Sequence, residues 1–543
     1  MANRQHDRLN HQKTNNQPNH NKTVIVIGAG IGGLTAGALL AKRGYQVRIY
    51  DQAIVPGGCA STFKRQGFTF DVGATQVAGL EPGGIHHRIF SELEIDLPEA
   101  TDCDPACAVF LPGETEPINI WRDPQKWQAE RDRQFPGSQP FWQLMDKLFQ
   151  ASWQFQGRDP VLPPRNIWDI SQLVKALRPD TLITVPFTLM TVLDALKLYG
   201  LDKNKRLKTF LDLQLKLYSQ VDSHETALLY AATALGVSQS PQGLFHLKGS
   251  MQVLSDRLVE GLEKHGGELF MRHTVKEINL DQHGASSVVI RNQKNGVIWT
   301  EKADYIVANV PVQNLVKMLT SIVPDHKTNP QNRFLQSLYK NRVENLPPAS
   351  GAFVVYLGVR SDAIPENCPP HLQFLYEYAE GDPVGKPQRS RQKICENNSL
   401  FVSVSKPGDG RAPDGLFTIT ASSFTDTNLW QNCSDYDSLK QEYTEQAIQK
   451  LAQYFNLNPN TIVYQEAATP RTFAQYTARE HGIVGGVGQR IKTFGPFGFA
   501  TRTPVPYLWL VGDSTHPGEG TAGVSYSALT AVRQIQEQDG WKK

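Results

Sequence analysis

Apolar residues occupy nearly every position of "TVIVI" at residues 23–27, and "GAG" follows at once. A short β-branched run without alternation predicts a strand covered on both faces, as in a parallel sheet. The period then changes. In "IGGLTAGALLAKRG" Leu34, Gly37, Ala38 and Ala41 recur at helical spacing, and Gly44 closes the run as a C-terminal cap. "YQVRIYD" restores a strand that ends at Asp51. Farther on, "QVLSDRLVEGLEKHGGEL" sets Val253, Leu254, Leu258 and Leu262 on one helical stripe and stops at Gly266 and Gly267. "ADYIVANVP" predicts a strand running into Asn309 and Pro311. Near the end, "YLWLVGDSTHPGEGTAGVSYSALTAVRQI" predicts a strand over Leu508–Val511, a glycine-bearing loop, and a helix from about Ala522.

The first strand, turn and helix carry a chemistry. Gly28, Gly30 and Gly33 suit, in turn, a tight bend, backbone approach to a pyrophosphate and close packing of helix on strand. The helix N-terminus then offers free amides to the phosphates. Asp51 can accept hydrogen bonds from ribose hydroxyls and disfavours a 2′-phosphate. A nicotinamide domain would pass next to a crossover helix. Here "PGGCASTF", with Gly57 and Gly58, and "GFTFDVGATQ" supply a second flexible loop that could lie along a longer cofactor. Gly512 and Asp513, at the end of the last strand and before a helix, suit a ribitol hydroxyl and the pyrophosphate or ring edge. Two such sites at opposite ends of the chain point to FAD. The alternative is a glycine-rich turn in an unrelated fold.

Composition narrows the setting. The chain has 543 residues, room for two to four domains, and 55 basic against 53 acidic side chains, which gives no whole-chain case for nucleic acid. Six cysteines fit a reducing compartment; the close pair Cys103 and Cys107 reads as loop thiols, and no zinc pattern is present. Residues 1–22, rich in Asn, His and Gln, predict a disordered tail rather than a secretory signal. No window approaches the ~18 apolar residues of a spanning helix. Residues 182–200 form the most apolar stretch outside the glycine strands, and Lys203, Lys205, Arg206 and Lys208 follow it. An apolar face beside a basic cluster suits a helix lying on an anionic membrane; a buried helix with a solvated basic end is the alternative. A second basic run, Lys386, Arg389, Arg391 and Lys393, reads as a solvated insert.

The blocks "VIVIGAGIGGLTAGALLAKRGYQVRIYDQ", "PGGCAST", "FDVGAT", "GSMQVLSDRLVEGLEKHGGEL", "ADYIVANVP", "TPRTFAQYTAREHGIVGG" and "WLVGDSTHPGEGTAGVSYSALTA" resemble the bacterial phytoene desaturase type of FAD-dependent, amine oxidase-like oxidoreductases. This family includes carotenoid desaturases and cis-trans isomerases, and the similarity runs from about residue 23 to the end. It looks closest to the cyanobacterial-type carotenoid 3′,4′-desaturases; "THPGEG" resembles the desaturase branch, whereas "GDS" and "TPRTF" are also similar to the isomerase branch. The resemblance implies an α/β fold: a discontinuous Rossmann-like FAD-binding domain of glutathione reductase type (residues 23–100, 235–312 and 480–543), a helical membrane-contacting insert (101–234) and an α+β substrate domain (313–479). FAD would rest on Gly28, Gly30, Gly33, Asp51, Gly57, Gly58, Gly512 and Asp513, with the backbone near Val275 against the adenine.

The implied activity is desaturation of an acyclic carotenoid end, with loss of a hydride and a proton. A prolycopene-type isomerase and a non-catalytic carotenoid-binding flavoprotein are the alternatives, and an amine oxidase is a weaker one. His516 and Glu519 could relay a proton, and Arg471 could face flavin or substrate. Helix capping, solvent exposure or a surface ion pair are their bland readings. Partners would be a carotenoid, a membrane surface and an electron acceptor that no motif specifies, for a cytoplasmic protein attached peripherally to a membrane.

Overall fold

A computed structural model describes residues 22–319, 330–378 and 396–540. The chain adopts an α/β fold built on two large sheets. The first has five parallel strands in the order Leu508–Leu510, Tyr305–Ala308, Thr23–Ile27, Gln46–Asp51, Glu268–Met271. Its central strand sends Val24 and Val26 into one core, Ile25 and Ile27 into another, hence the unbroken apolar run. Helices Ile31–Lys42, Gln252–Lys264 and Thr521–Gln538 form the first core. A three-stranded meander, His273–Leu280, Ala285–Asn292 and Ile298–Lys302, forms the second together with helix Val312–Met318. Gly32, Gly33 and Gly37 each cost the first helix roughly 1 kcal/mol. Complete burial of Leu34, Leu39 and Leu40, at ~1.5–3 kcal/mol each, offsets this.

The second sheet has seven strands in the order Ile462–Ala468, Gly351–Arg360, Leu416–Thr425, Ser399–Val404, His371–Leu375, Cys107–Phe110, Ile118–Ile120. Helix Tyr436–Leu451 and Trp430 cover one face. From the other face Ala352, Val354, Gln373, Phe401 and Phe424 border a cavity. Residues 107–120 therefore pair with the distant sheet, so the segment expected as a helical insert is not helical throughout. Cys107 lies in a strand rather than a loop, and Cys103, in the connection before it, is buried in the same core; burial pushes the Cys103 thiol up to about 11.

Residues 182–200 are likewise not one helix. A turn at Pro179–Leu182, a 3₁₀ turn at Val185–Phe187 and a short helix at Val192–Leu198 break the run, with Pro186 at its centre. The basic cluster beyond it is largely committed within the protein. Arg206 holds Glu114 at 2.8 Å, Lys208 holds Asp212 at 2.6 Å, and Lys205 sits over the Tyr378 ring. The tail, apart from Lys22, and the second basic run lie outside the described residues. Lys22 itself bonds Tyr305 and Asp539. Among the described residues no helix is long and apolar enough to cross a membrane, and no group of three His, Cys, Asp or Glu could hold a metal.

A buried charge network joins the halves. Asp71, at the end of hairpin Thr62–Asp71, pairs with Arg411 and accepts the Met251 amide at 2.8 Å. Arg411 also approaches Asp409 at 3.6 Å, and Asp409 lies 3.1 Å from His246 Nε2. The stretch expected as a flexible loop along the cofactor thus contains a hairpin, and only its ends, Gly57–Ala60 and Gly73–Gln76, reach the cavity.

Candidate functional site

One cavity of about 1240 Å³ receives most of the predicted site residues. Gly28, Gly30, Asp51, Gly57, Gly58, Val275, Gly512, Asp513, His516 and Glu519 all line it. Gly33 does not; it packs the first helix against the turn. Arg471 is also outside, and its expected role at the flavin or substrate edge is corrected. Its guanidinium donates to the Trp430 and Gln431 carbonyls at 2.7 and 3.2 Å and stacks on Tyr436, closing the C-terminal end of helix Thr427–Asn432. Arg479, eight residues later in the same block, does line the cavity.

Two helix N-termini meet here. Gly30 precedes helix Ile31–Lys42, Gly520 precedes helix Thr521–Gln538, and neither first turn carries an acid, so the free amides are open to an anion. Asn309, at the end of strand Tyr305–Ala308, sits between them. A Cβ on Gly30, Gly32 or Gly512 would come within 2.8 Å of its side-chain amide. The glycines thus leave a backbone-walled cradle that side chains would fill. Asp51 closes one end: its oxygens accept the amides of Ala29 and Ala53, each at 2.6 Å, which ties the strand end to the glycine turn and leaves lone pairs for a hydroxyl. At the other end Asp513 is held by Arg479 at 2.6 Å. Arg479 also donates to the carbonyls of Ile483 (2.9 Å) and Gly485.

Three further charged or polar groups complete the wall. His516 Nε2 lies 3.1 Å from the Gln156 amide, its Nδ1 is buried without a partner, and burial pushes its pKa down to about 4. The ring is neutral at physiological pH. Glu519 accepts from Gln220 at 3.0 Å. Tyr230 donates to the Tyr218 carbonyl. Arg479, Gln220 and Gly485 had no legible signal beyond membership of the "TAREHGIVGG" block and a helix end, because the contacts that bring them to Asp513 and Glu519 join separate parts of the chain.

A cradle of backbone amides between two helix N-termini, with a carboxylate at each end, defines a dinucleotide flavoprotein. The chain belongs to the flavin containing amine oxidoreductases: that family's profile matches residues 31–536. FAD is the cofactor. Among curated proteins it is 25% identical over 537 residues to the prolycopene isomerase of Arabidopsis thaliana, covering 96% of this chain and 83% of that one. It is 23% identical to the 4,4'-diapophytoene desaturase (4,4'-diapolycopene-forming) of a Methylomonas species, covering 95% and 96%. Among solved structures, cyclohexylamine oxidase from Brevibacterium oxydans shares the fold at a TM-score of 0.60 and 15% identity, covering 96% of this chain and all of that one.

Proposed function

We propose that the protein is a carotenoid desaturase that removes hydride and proton from a carbon–carbon bond of an acyclic carotenoid end, at the 3′,4′ position. The size and walls of the cavity carry this reading. At about 1240 Å³ it exceeds the ~300–1,000 Å³ of an ordinary ligand pocket, leaving room for FAD and a second long ligand. Away from the glycine cradle its wall turns apolar, with Leu173, Leu177, Val185, Leu229 and Val237. Relatives named for carotenoid substrates support the same class.

Gly28, Gly30, Gly57, Gly58, Asp51 and Val275 would hold the adenosine and pyrophosphate, and Gly512 and Asp513 the ribityl end. When bound, FAD supplies a hydride acceptor. The chain's part is to exclude water, hold an activated allylic position in line and manage one proton. Asp513→Asn keeps the shape but weakens a charge-assisted bond, so FAD affinity is expected to fall tenfold or more, from ~1.5–3 kcal/mol. Fluorescence titration of apoprotein with FAD reads this; an unchanged Kd removes Asp513 from the ribityl site.

The isomerase reading is kept because the Arabidopsis relative is a prolycopene isomerase. Expression in a host making lycopene, 1-hydroxylated acyclic carotenoids or poly-cis carotenoids decides. Loss of two mass units with a red shift means desaturation, and locating the new bond tests the 3′,4′ assignment. Unchanged mass with altered retention means isomerisation. Flavin that stays oxidised with carotenoid under anaerobiosis, together with no product, means a binding protein.

Peripheral membrane attachment also belongs to this reading, at a surface other than the basic cluster. Helix Ile167–Ala176 buries Asp169, which Arg502 and Gln534 hold, and turns Ile167, Ile170 and Val174 outward, with Ile167 86% exposed. Leu182, Ile183, Val185, Leu189 and Leu198 are exposed in the following turns, amid exposed Lys175, Arg178 and Lys197. Leu177 and Val185 line the cavity and also face outward, so the cavity opens within this strip. Replacing Ile167, Ile170 and Val174 together with Ser is expected to cut co-sedimentation with phosphatidylglycerol vesicles at least tenfold, since each buried side chain is worth ~1.5–3 kcal/mol. Unchanged sedimentation ends the membrane reading of this surface.

A further inference from the structure

Glu519 lies on the loop between strand Leu508–Leu510 and helix Thr521–Gln538 and shares the cavity wall with Asp513, His516 and Tyr230. One carboxyl oxygen accepts from Gln220 Nε2 at 3.0 Å, and the other is buried with no partner. The pair is built for: a Cβ on Gly485 would come 2.3 Å from both Glu519 Oε2 and Gln220 Nε2, so only glycine admits the contact. An ionised carboxylate with a bare buried oxygen is costly, whereas the neutral acid is not. Burial, with the Asp513 carboxylate adding to it, pushes Glu519 up to about 8.

The neighbours cannot take its place. Arg479 is committed to Asp513, and the Tyr230 hydroxyl to a carbonyl. Burial with no carboxylate beside it holds His516 at about 4, so its ring has no proton to give near neutrality and is a weak acceptor of one. We infer that Glu519 is the group that exchanges the proton with the substrate. This rests on the oxidoreductase reading of the same cavity. With bound FAD supplying the hydride acceptor, desaturation would take one hydrogen of the substrate away with its electron pair. The neighbouring C–H bond yields its proton to the ionised Glu519, and its electrons close the new double bond. In isomerisation the protonated Glu519 gives a proton to one carbon and regains one from another, without net oxidation.

The two cases have opposite pH dependence. As a base Glu519 must be ionised, so turnover rises with pH through about 8; as an acid it must be protonated, so turnover falls there. A second readout needs no turnover. Between pH 4.5 and 8 the folded protein holds a proton on Glu519 that the unfolded chain has released, so folding stability falls as pH rises through that window. Glu519→Gln removes this term. In flavin-loaded protein the Tm of E519Q relative to the natural chain is expected to climb by several degrees from pH 5 to pH 9. Its turnover should drop by ~10²–10⁴-fold and lose the limb near pH 8, with partial return in E519D. E519Q turnover within threefold of the natural chain, with the limb intact, overturns the inference; so does a Tm difference that stays flat with pH. An inverted limb with product of unchanged mass overturns only the desaturase reading.

Discussion

Gly33→Ala protein is expected to emerge from purification without flavin. A Cβ at position 33 would stand 2.0 Å from the Gly28 carbonyl oxygen and 3.1 Å from the Asn309 Cβ. The first obstacle is backbone, so the helix must withdraw from the turn by more than an ångström. That displaces the amides around Gly30 and opens the contact through Asn309 to Gly512. Overpacking of this kind costs ~1–3 kcal/mol or more in stability, and the geometric loss to a pyrophosphate is larger still. The ratio of flavin to protein absorbance reads the effect. Gly44→Ala is the control: φ is +88° with nothing within 4 Å, so it should cost ~1–2 kcal/mol of strain and keep its flavin. Stoichiometric FAD in Gly33→Ala would contradict the cradle.

Arg411→Met is expected to lower stability by ~3–5 kcal/mol, because it leaves Asp71 and Asp409 buried and facing only partial compensation. Arg411 also donates to the Leu247 carbonyl at 3.2 Å, which loses its donor as well. Adding Asp71→Leu should return part of the loss, since an apolar pair can replace a buried ion pair at little cost. Denaturant unfolding of the single and double variants checks both figures. A single variant within 1 kcal/mol of the natural protein would mean the network is expendable. Because the network joins the strand before helix Gln252–Lys264 to the second sheet, losses here should also reduce cavity integrity.

What could be read from the sequence was local. Unbroken apolar strands, glycines before helices and a carboxylate at a strand end all signal themselves within a dozen residues, and these elements form the cradle. The distant pairings did not. Gln220 meets Glu519 from 299 positions away, and Arg206 is neutralised by Glu114 from another element. Four cations in six positions look like a surface patch until their partners are known. Arg471 and Arg479 lie in one block, and only the packing shows that the first closes helix Thr427–Asn432 while the second reaches Asp513. Strand Cys107–Phe110 carries an apolar run that could belong to any sheet; pairing with His371–Leu375 assigns it.

The central sheet has a consequence for biosynthesis. Strand Thr23–Ile27 leaves the ribosome well before its neighbour Tyr305–Ala308, and that strand's other neighbour, Leu508–Leu510, follows later still. Gly30 and Gly512 meet only through Asn309, after all three have docked. A nascent chain therefore cannot retain FAD until strand Leu508–Leu510 has been made and has docked, and its non-local parallel pairing makes folding slow. Ligand capture then waits on a contact across the whole sheet, one that ties an early-made glycine turn to helix Thr521–Gln538.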